Sequence, residues 1–120
     1  MRLALIGAAL LMTACFRPRP AYNSSVESIN CVAIQGWALD WNRLTIATEI
    51  GLYDGDKLIQ KITANIPRPD LNSASKNHGF LLSPVPAVLF DHKPHTIHLR
   101  YGDSRTDLRQ SPKTLQCPDH

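Results

Sequence analysis

Apolar and polar residues alternate most clearly in the middle of the chain. Leu44, Ile46, Thr48, Ile50 and Leu52 interleave with Thr45, Ala47, Glu49, Gly51 and Tyr53, a period of two that turns one mostly apolar face of a strand inward. Asp54-Gly55-Asp56 supplies a turn. Leu58, Ile62, Ala64 and Ile66 then alternate with Ile59, Lys61, Thr63 and Asn65, so the two runs predict a hairpin. Further strands are predicted at Val26–Asn30, Val32–Leu39, Gly79–Ser83, His95–Tyr101 (Ile97, Leu99 and Tyr101 inward) and Lys113–Cys117, with one short helical turn within Pro84–Leu89. Short strands separated by Pro, Asn, Asp and Gly clusters predict an all-β sandwich of about seven strands.

The amino terminus breaks this pattern. Met1-Arg2 is followed by an apolar run, Leu3 to Met12, and by the small residues Thr13 and Ala14. A positive start, an apolar middle and a small-residue cleavage site are the parts of a secretory signal. The run is too short to span a bilayer, since ten residues at 1.5 Å rise cover about 15 Å of a roughly 30 Å hydrocarbon core. Met12-Thr13-Ala14-Cys15 resembles a bacterial lipoprotein lipobox. The resemblance implies removal of residues 1–14 as a signal peptide, a thioether-linked diacylglycerol on Cys15 and an amide-linked acyl chain, such as palmitate, on its new amino group. Ordinary signal-peptide cleavage is the alternative. Phe16 stands where inner-membrane lipoproteins often carry Asp, which points to the outer membrane if the organism has one. Two or three acyl chains make membrane release slow.

Residues 15–25 then read as a lipidated Cys and a Pro-rich tether, ahead of a domain at 26–120. X-Pro units favour polyproline II at about 3.1 Å per residue, so Phe16–Ser25 is expected to hold the domain some 30 Å from the lipid. Arg17 and Arg19 are read either as contacts to lipid phosphates or as solvated linker charges.

Composition gains meaning once the first residues are set aside. The 43% apolar content overstates the core, because eleven of the first fourteen residues are apolar. A modest core makes cross-linking valuable. With Cys15 assigned to lipid, Cys31 and Cys117 remain, and export carries them into a compartment where thiols pair. One disulfide closing nearly the whole domain is expected, with two unpaired thiols as the alternative; loop entropy assigns such a bridge about 4 to 5 kcal/mol.

From Gly36-Trp37-Ala38-Leu39-Asp40 onward the chain resembles a small immunoglobulin-like β-sandwich module found in bacterial extracellular proteins and beside some glycosyltransferase domains. The matching pieces are Leu52-Tyr53-Asp54-Gly55, Arg68-Pro69-Asp70-Leu71, Asn77-His78-Gly79-Phe80, Pro94-His95-Thr96-Ile97 and Ser111-Pro112-Lys113-Thr114-Leu115. The resemblance implies a single immunoglobulin-like sandwich, an accessory role with no settled ligand, and, from one branch of the family, cysteines at the places of Cys31 and Cys117. The link after Asp40 is short here, and Val88 replaces a usual small residue.

Several side chains carry two readings each. Trp37 is expected to fill the gap between the sheets, or else to offer a sugar platform. Arg68-Pro69-Asp70 predicts a bend in which Arg68 meets an acidic neighbour or a ligand. His78 is read as structural or as a ligand contact beside a core Phe80. Trp41, Asn42 and Arg43 lie beyond a strand, where the indole stacks on a sugar or partner, or packs against an edge.

Other chemistry lacks a pattern. His92, His95 and His98 are spaced three apart, which puts strand neighbours on opposite faces and argues against a shared zinc ion. Asp54 and Asp56 offer too few oxygens for calcium. No nucleophile-elbow, zinc-protease, phosphate-loop or dinucleotide motif occurs, so no cofactor is expected. Arg2 is the one charged residue of the first fourteen, so the formal charge of +3 falls to +2 on their removal, and the remaining Lys and Arg form no stripe for nucleic acid. The sequence thus predicts a non-catalytic interaction or structural module, lipid-anchored in the cell envelope, with an envelope protein or polysaccharide as partner. A carbohydrate-binding accessory module is the rival, and an enzyme with a scattered site is a third reading.

Overall fold

The computed structural model describes residues 19–71 and 77–119. The signal segment, Cys15 and Arg17 lie outside the described residues. Eight strands run in the order β1 (Tyr22–Ile29), β2 (Ile34–Asp40), β3 (Thr48–Asp54), β4 (Lys57–Ala64), β5 (Ile66–Pro67), β6 (Asn77–Leu82), β7 (Pro94–Tyr101) and β8 (Lys113–Gln116). A single 3-10 turn, Ala87–Leu89, lies between β6 and β7, inside the segment expected to hold one helical turn.

The strands form two antiparallel sheets, β1-β2-β6-β5 and β4-β3-β7-β8. Immunoglobulin sandwiches place strands A, B, E and D in one sheet and C, F and G in the other, some adding a C′ strand beside C. The eight strands follow that order with β4 as C′, so the sandwich is immunoglobulin-like. Ile34, Ala38, Ile50, Leu52, Ile97 and Leu99, all fully buried or nearly so, fill the space between the sheets with Phe80 and Leu115.

Cys31 and Cys117 are joined by a disulfide. It ties the β1–β2 turn to the residue after β8, and therefore the edge of one sheet to the edge of the other. The same flank is sealed by Val26 donating to the Arg109 carbonyl (3.2 Å) and by Arg109 N–H donating to Ser24 Oγ (3.1 Å). β5, a two-residue edge strand, contains Pro67, whose missing N–H suits an unpaired edge.

The departures from the expected pattern have local causes. Residues 44–47 form no strand; they belong to the β2–β3 loop, and Ile46 is 57% exposed rather than inward. A register shift after Leu52, which pairs with Gln60 while Tyr53 pairs with Leu58, leaves Ile59 as an extra residue. That bulge reverses the phase of β4: Ile59 packs against the core and Leu58 is exposed.

Trp37 does not fill the inter-sheet gap. It is half-buried, out of phase with inward Ile34 and Ala38, and pairs with Gly79 on the outer face of its sheet. The gap beside it is closed instead by Phe80, opposite Gly36, where a Cβ would fall on the Ser25 carbonyl oxygen. Finally, β1 begins at Tyr22, four residues before the expected domain boundary. Ser24 at 0% exposure is a core position that its polarity concealed.

Candidate functional site

The loop that follows β2 is built on Asp40, which is buried at the strand's end. Its Oδ1 accepts the N–H groups of Ala21 (2.9 Å) and Asn42 (3.0 Å), and its carbonyl accepts that of Arg43 (2.9 Å). Asp at such a position organises a turn by capping backbone donors two residues on. Here it also clasps the incoming chain. Trp41 N–H donates to the Ala21 carbonyl (2.9 Å), and Asn42 Nδ2 donates to the Arg19 carbonyl (2.5 Å). From the other side His78, 1% exposed, donates from Nε2 to the Leu44 carbonyl (3.1 Å). A carbonyl only accepts, so the proton sits on Nε2, and Nδ1 has no partner among the described residues.

Three of the four residues singled out as ligand candidates therefore share this loop. Trp41 is 45% exposed, and Asn42 and Arg43 are exposed beside it. Between the loop and the opposite sheet lies a shallow groove of about 260 Å³, lined by Tyr22, Asp40, Arg43, Ile46, Glu49 and Tyr101 among others. A second recess of about 240 Å³ shares Tyr22, Asp40 and Arg43 with it and adds Arg19 and Asn42. The Tyr22 ring stacks on that of Tyr101, centroids 3.9 Å apart and planes within 6°, and the Tyr101 hydroxyl donates to Ser24 Oγ (2.6 Å). Burial pushes the Tyr101 phenol up, away from ionisation. The pair is thus an aromatic floor that joins the two sheets.

Arg68 lies elsewhere. It covers Gly79 on the outer face of the β1-β2-β6-β5 sheet, where a Cβ would meet its side chain at 2.7 Å. Both sides of its guanidinium are occupied: Nε and Nη2 donate to Asp70 (2.9 and 2.8 Å), and Nη1 and Nη2 donate to Glu27 (both 2.9 Å). These forks raise the Arg68 pKa and hold the Asp70 carboxyl below its ordinary value. The structure gives Arg68 the acidic neighbours expected of the bend and separates it from Trp41, Asn42 and Arg43.

Two histidine clusters escaped the sequence reading. At the opposite end of the sandwich His95 sits between Asp54 (Nδ1, 2.6 Å) and Asp91 (Nε2, 2.8 Å). Hydrogen bonding to Asp91, and then to Asp54, raises its pKa and favours the imidazolium; Asp91 is lowered in return, chiefly by His95. His98, on the outer face opposite Tyr53, contacts Asp107 through Nδ1 (2.9 Å). Ser111 Oγ donates to the same Asp107 carboxylate (3.3 Å), not to the imidazole, so the trio lacks the serine-to-histidine proton path of a hydrolase triad. Neither pairing is foreshadowed by an alternating pattern, because Asp54 closes β3, Asp91 lies in the loop before β7 and Asp107 lies beyond β7. Among the described residues no group of three or more His, Cys, Asp or Glu is arranged to hold a metal ion, and no helix is long and apolar enough to cross a membrane.

Comparisons of this chain with protein-family models, curated proteins and solved structures found no match.

Proposed function

We propose that the protein is a lipid-anchored component of the cell envelope, acting as a non-catalytic interaction or structural module of the immunoglobulin-like type that its motifs resemble. The observation that supports this most directly is the Cys31–Cys117 bridge. Disulfides belong to exported chains, and this one uses both cysteines of the domain. Cys15 is left as the odd cysteine, at the end of an export-type segment, where a lipobox places the residue to be acylated. Loop 41–47, with Trp41, Asn42 and Arg43 exposed, is the surface best suited to a partner.

Cys15→Ser tests the reading. The expected result is loss of the acyl mass and a shift of the protein from the membrane fraction to the soluble fraction. Unchanged fractionation of the variant overturns the anchor.

A further inference from the structure

Taken with acylation of Cys15, on which the following rests, the clasp at Asp40 fixes how far the domain stands from the bilayer. Arg19 is four residues beyond Cys15, and a chain spans at most about 3.6 Å per residue, so their Cα atoms lie within about 14 Å whatever the path. At Arg19 the chain is already bound to the sandwich through Asn42, and at Ala21 through Asp40 and Trp41. The ten-residue tether expected from the sequence is thus cut short by the fold. Loop 41–47, held to Arg19 through Asn42, is thereby kept near the acylated end of the chain, close to the lipid surface.

The side chains at this end suit that position. Trp41 and Ile46 are exposed at 45% and 57%, and Tyr22 at 39%, three of the exposed large apolar residues gathered beside the chain entry. Arg19 and Arg43 are exposed, and neither forms an ion pair with a described residue. The nearby acids are engaged: Asp40 by two N–H groups, Glu49 by the Thr63 hydroxyl (2.6 Å) and Asp103 by Lys61 (3.4 Å). An indole and an aliphatic side chain flanked by unpaired guanidinium groups match the headgroup boundary of an anionic phospholipid surface, where Trp is enriched and Arg meets phosphate.

We infer that this end of the sandwich is a membrane-contacting face, with Trp41 and Ile46 seated at the headgroup boundary and Arg19 and Arg43 on lipid phosphates. The domain is held against the bilayer, with its Cys31–Cys117 end directed away.

The test uses the acylated full-length protein in vesicles of three parts phosphatidylethanolamine to one part phosphatidylglycerol. With Trp37→Phe, Trp41 is the one remaining tryptophan. Lipids brominated near the headgroup are expected to quench its emission at least two-fold relative to unbrominated vesicles. Trp37, isolated by Trp41→Phe, is expected to change by less than a fifth. Should Trp37→Phe fail to fold, the difference between wild type and Trp41→Phe reports the same quantity. Flotation separates the two hypotheses. Protein that floats with unquenched Trp41, as when a protein partner is the true occupant, overturns the face and leaves the anchor. Equal quenching of both tryptophans also overturns it, and protein that does not float overturns both.

Discussion

Breaking the Cys31–Cys117 bridge offers the sharpest energetic test of the fold. The cysteines are 86 residues apart. The loop-closure relation then gives about 4.6 kcal/mol at 25 °C, lost when the unfolded chain is freed. Native contacts along the same flank survive reduction, because Val26 and Ser24 still bind the Arg109 backbone. Almost the whole effect is therefore expected in the unfolded ensemble. A domain of this size loses roughly 4 to 8 °C of melting temperature per kcal/mol, so reduction should lower Tm by about 20 to 35 °C. Urea unfolding with and without dithiothreitol measures the free energy directly, and Cys31→Ala/Cys117→Ala, insensitive to reductant, controls for side effects. Stopped-flow kinetics adds a stricter requirement: refolding slows while unfolding changes only a few-fold. A loss below about 1.5 kcal/mol, or one carried mainly by faster unfolding, would refute the loop-entropy account.

Two further outcomes follow from the geometry. His95 has its pKa raised by Asp91 and Asp54, so its contribution to stability is fully present below the unfolded value of about 6.5 and is lost as pH rises through the higher folded value. Wild type should lose stability on going from pH 6 to 9 while His95→Asn shows a flatter profile by urea titration at each pH; parallel profiles would contradict the clamp. Gly36→Ala places a Cβ on the Ser25 carbonyl oxygen and within 3.1 Å of the Phe80 ring, so it should destabilise at or beyond the upper end of the 1–3 kcal/mol (roughly) typical of overpacking, read from thermal melts. A neutral Gly36→Ala would mean that β1 and β2 are not so closely apposed.

Where burial followed alternation, the sequence was readable. Ile50 and Leu52, or Ile97, Leu99 and Tyr101, announce their faces because the side-chain period of a strand is two. The same rule failed at Leu58, since one extra residue at Ile59 shifts the phase without altering composition. It failed at Ser24, whose burial depends on a hydroxyl from Tyr101, 77 residues away. The loop Trp41-Asn42-Arg43 was legible as a candidate surface from its polarity and its place after a strand. Its coupling to Arg19 and Ala21 was not, because Arg-Pro-Arg-Pro looks like linker until Asn42 is seen to bind the Arg19 carbonyl and Asp40 the Ala21 N–H just beyond it. The distant partners of Arg68 and His95 were hidden for a like reason: Glu27 and Asp54 each lie 41 residues away, and only the sheet topology brings them together.

The position of the disulfide has a mechanical meaning under the proposed attachment of the chain through Cys15. Tension entering through the residues before Tyr22 runs along β1 to Cys31, and from there a covalent path leads straight to Cys117. A load drawn between the residues before Tyr22 and those beyond Cys117 bypasses everything from Val32 to Gln116. Such a pull can detach only β1 and the residues leading into it, breaking the ladder with β2, the bonds of Ser24 and Val26 to the Arg109 backbone and the clasp at Asp40. The β3–β4 hairpin and the β2–β6, β5–β6, β3–β7 and β7–β8 ladders stay outside the line of force, so the domain yields a short extension and then behaves as an inextensible link.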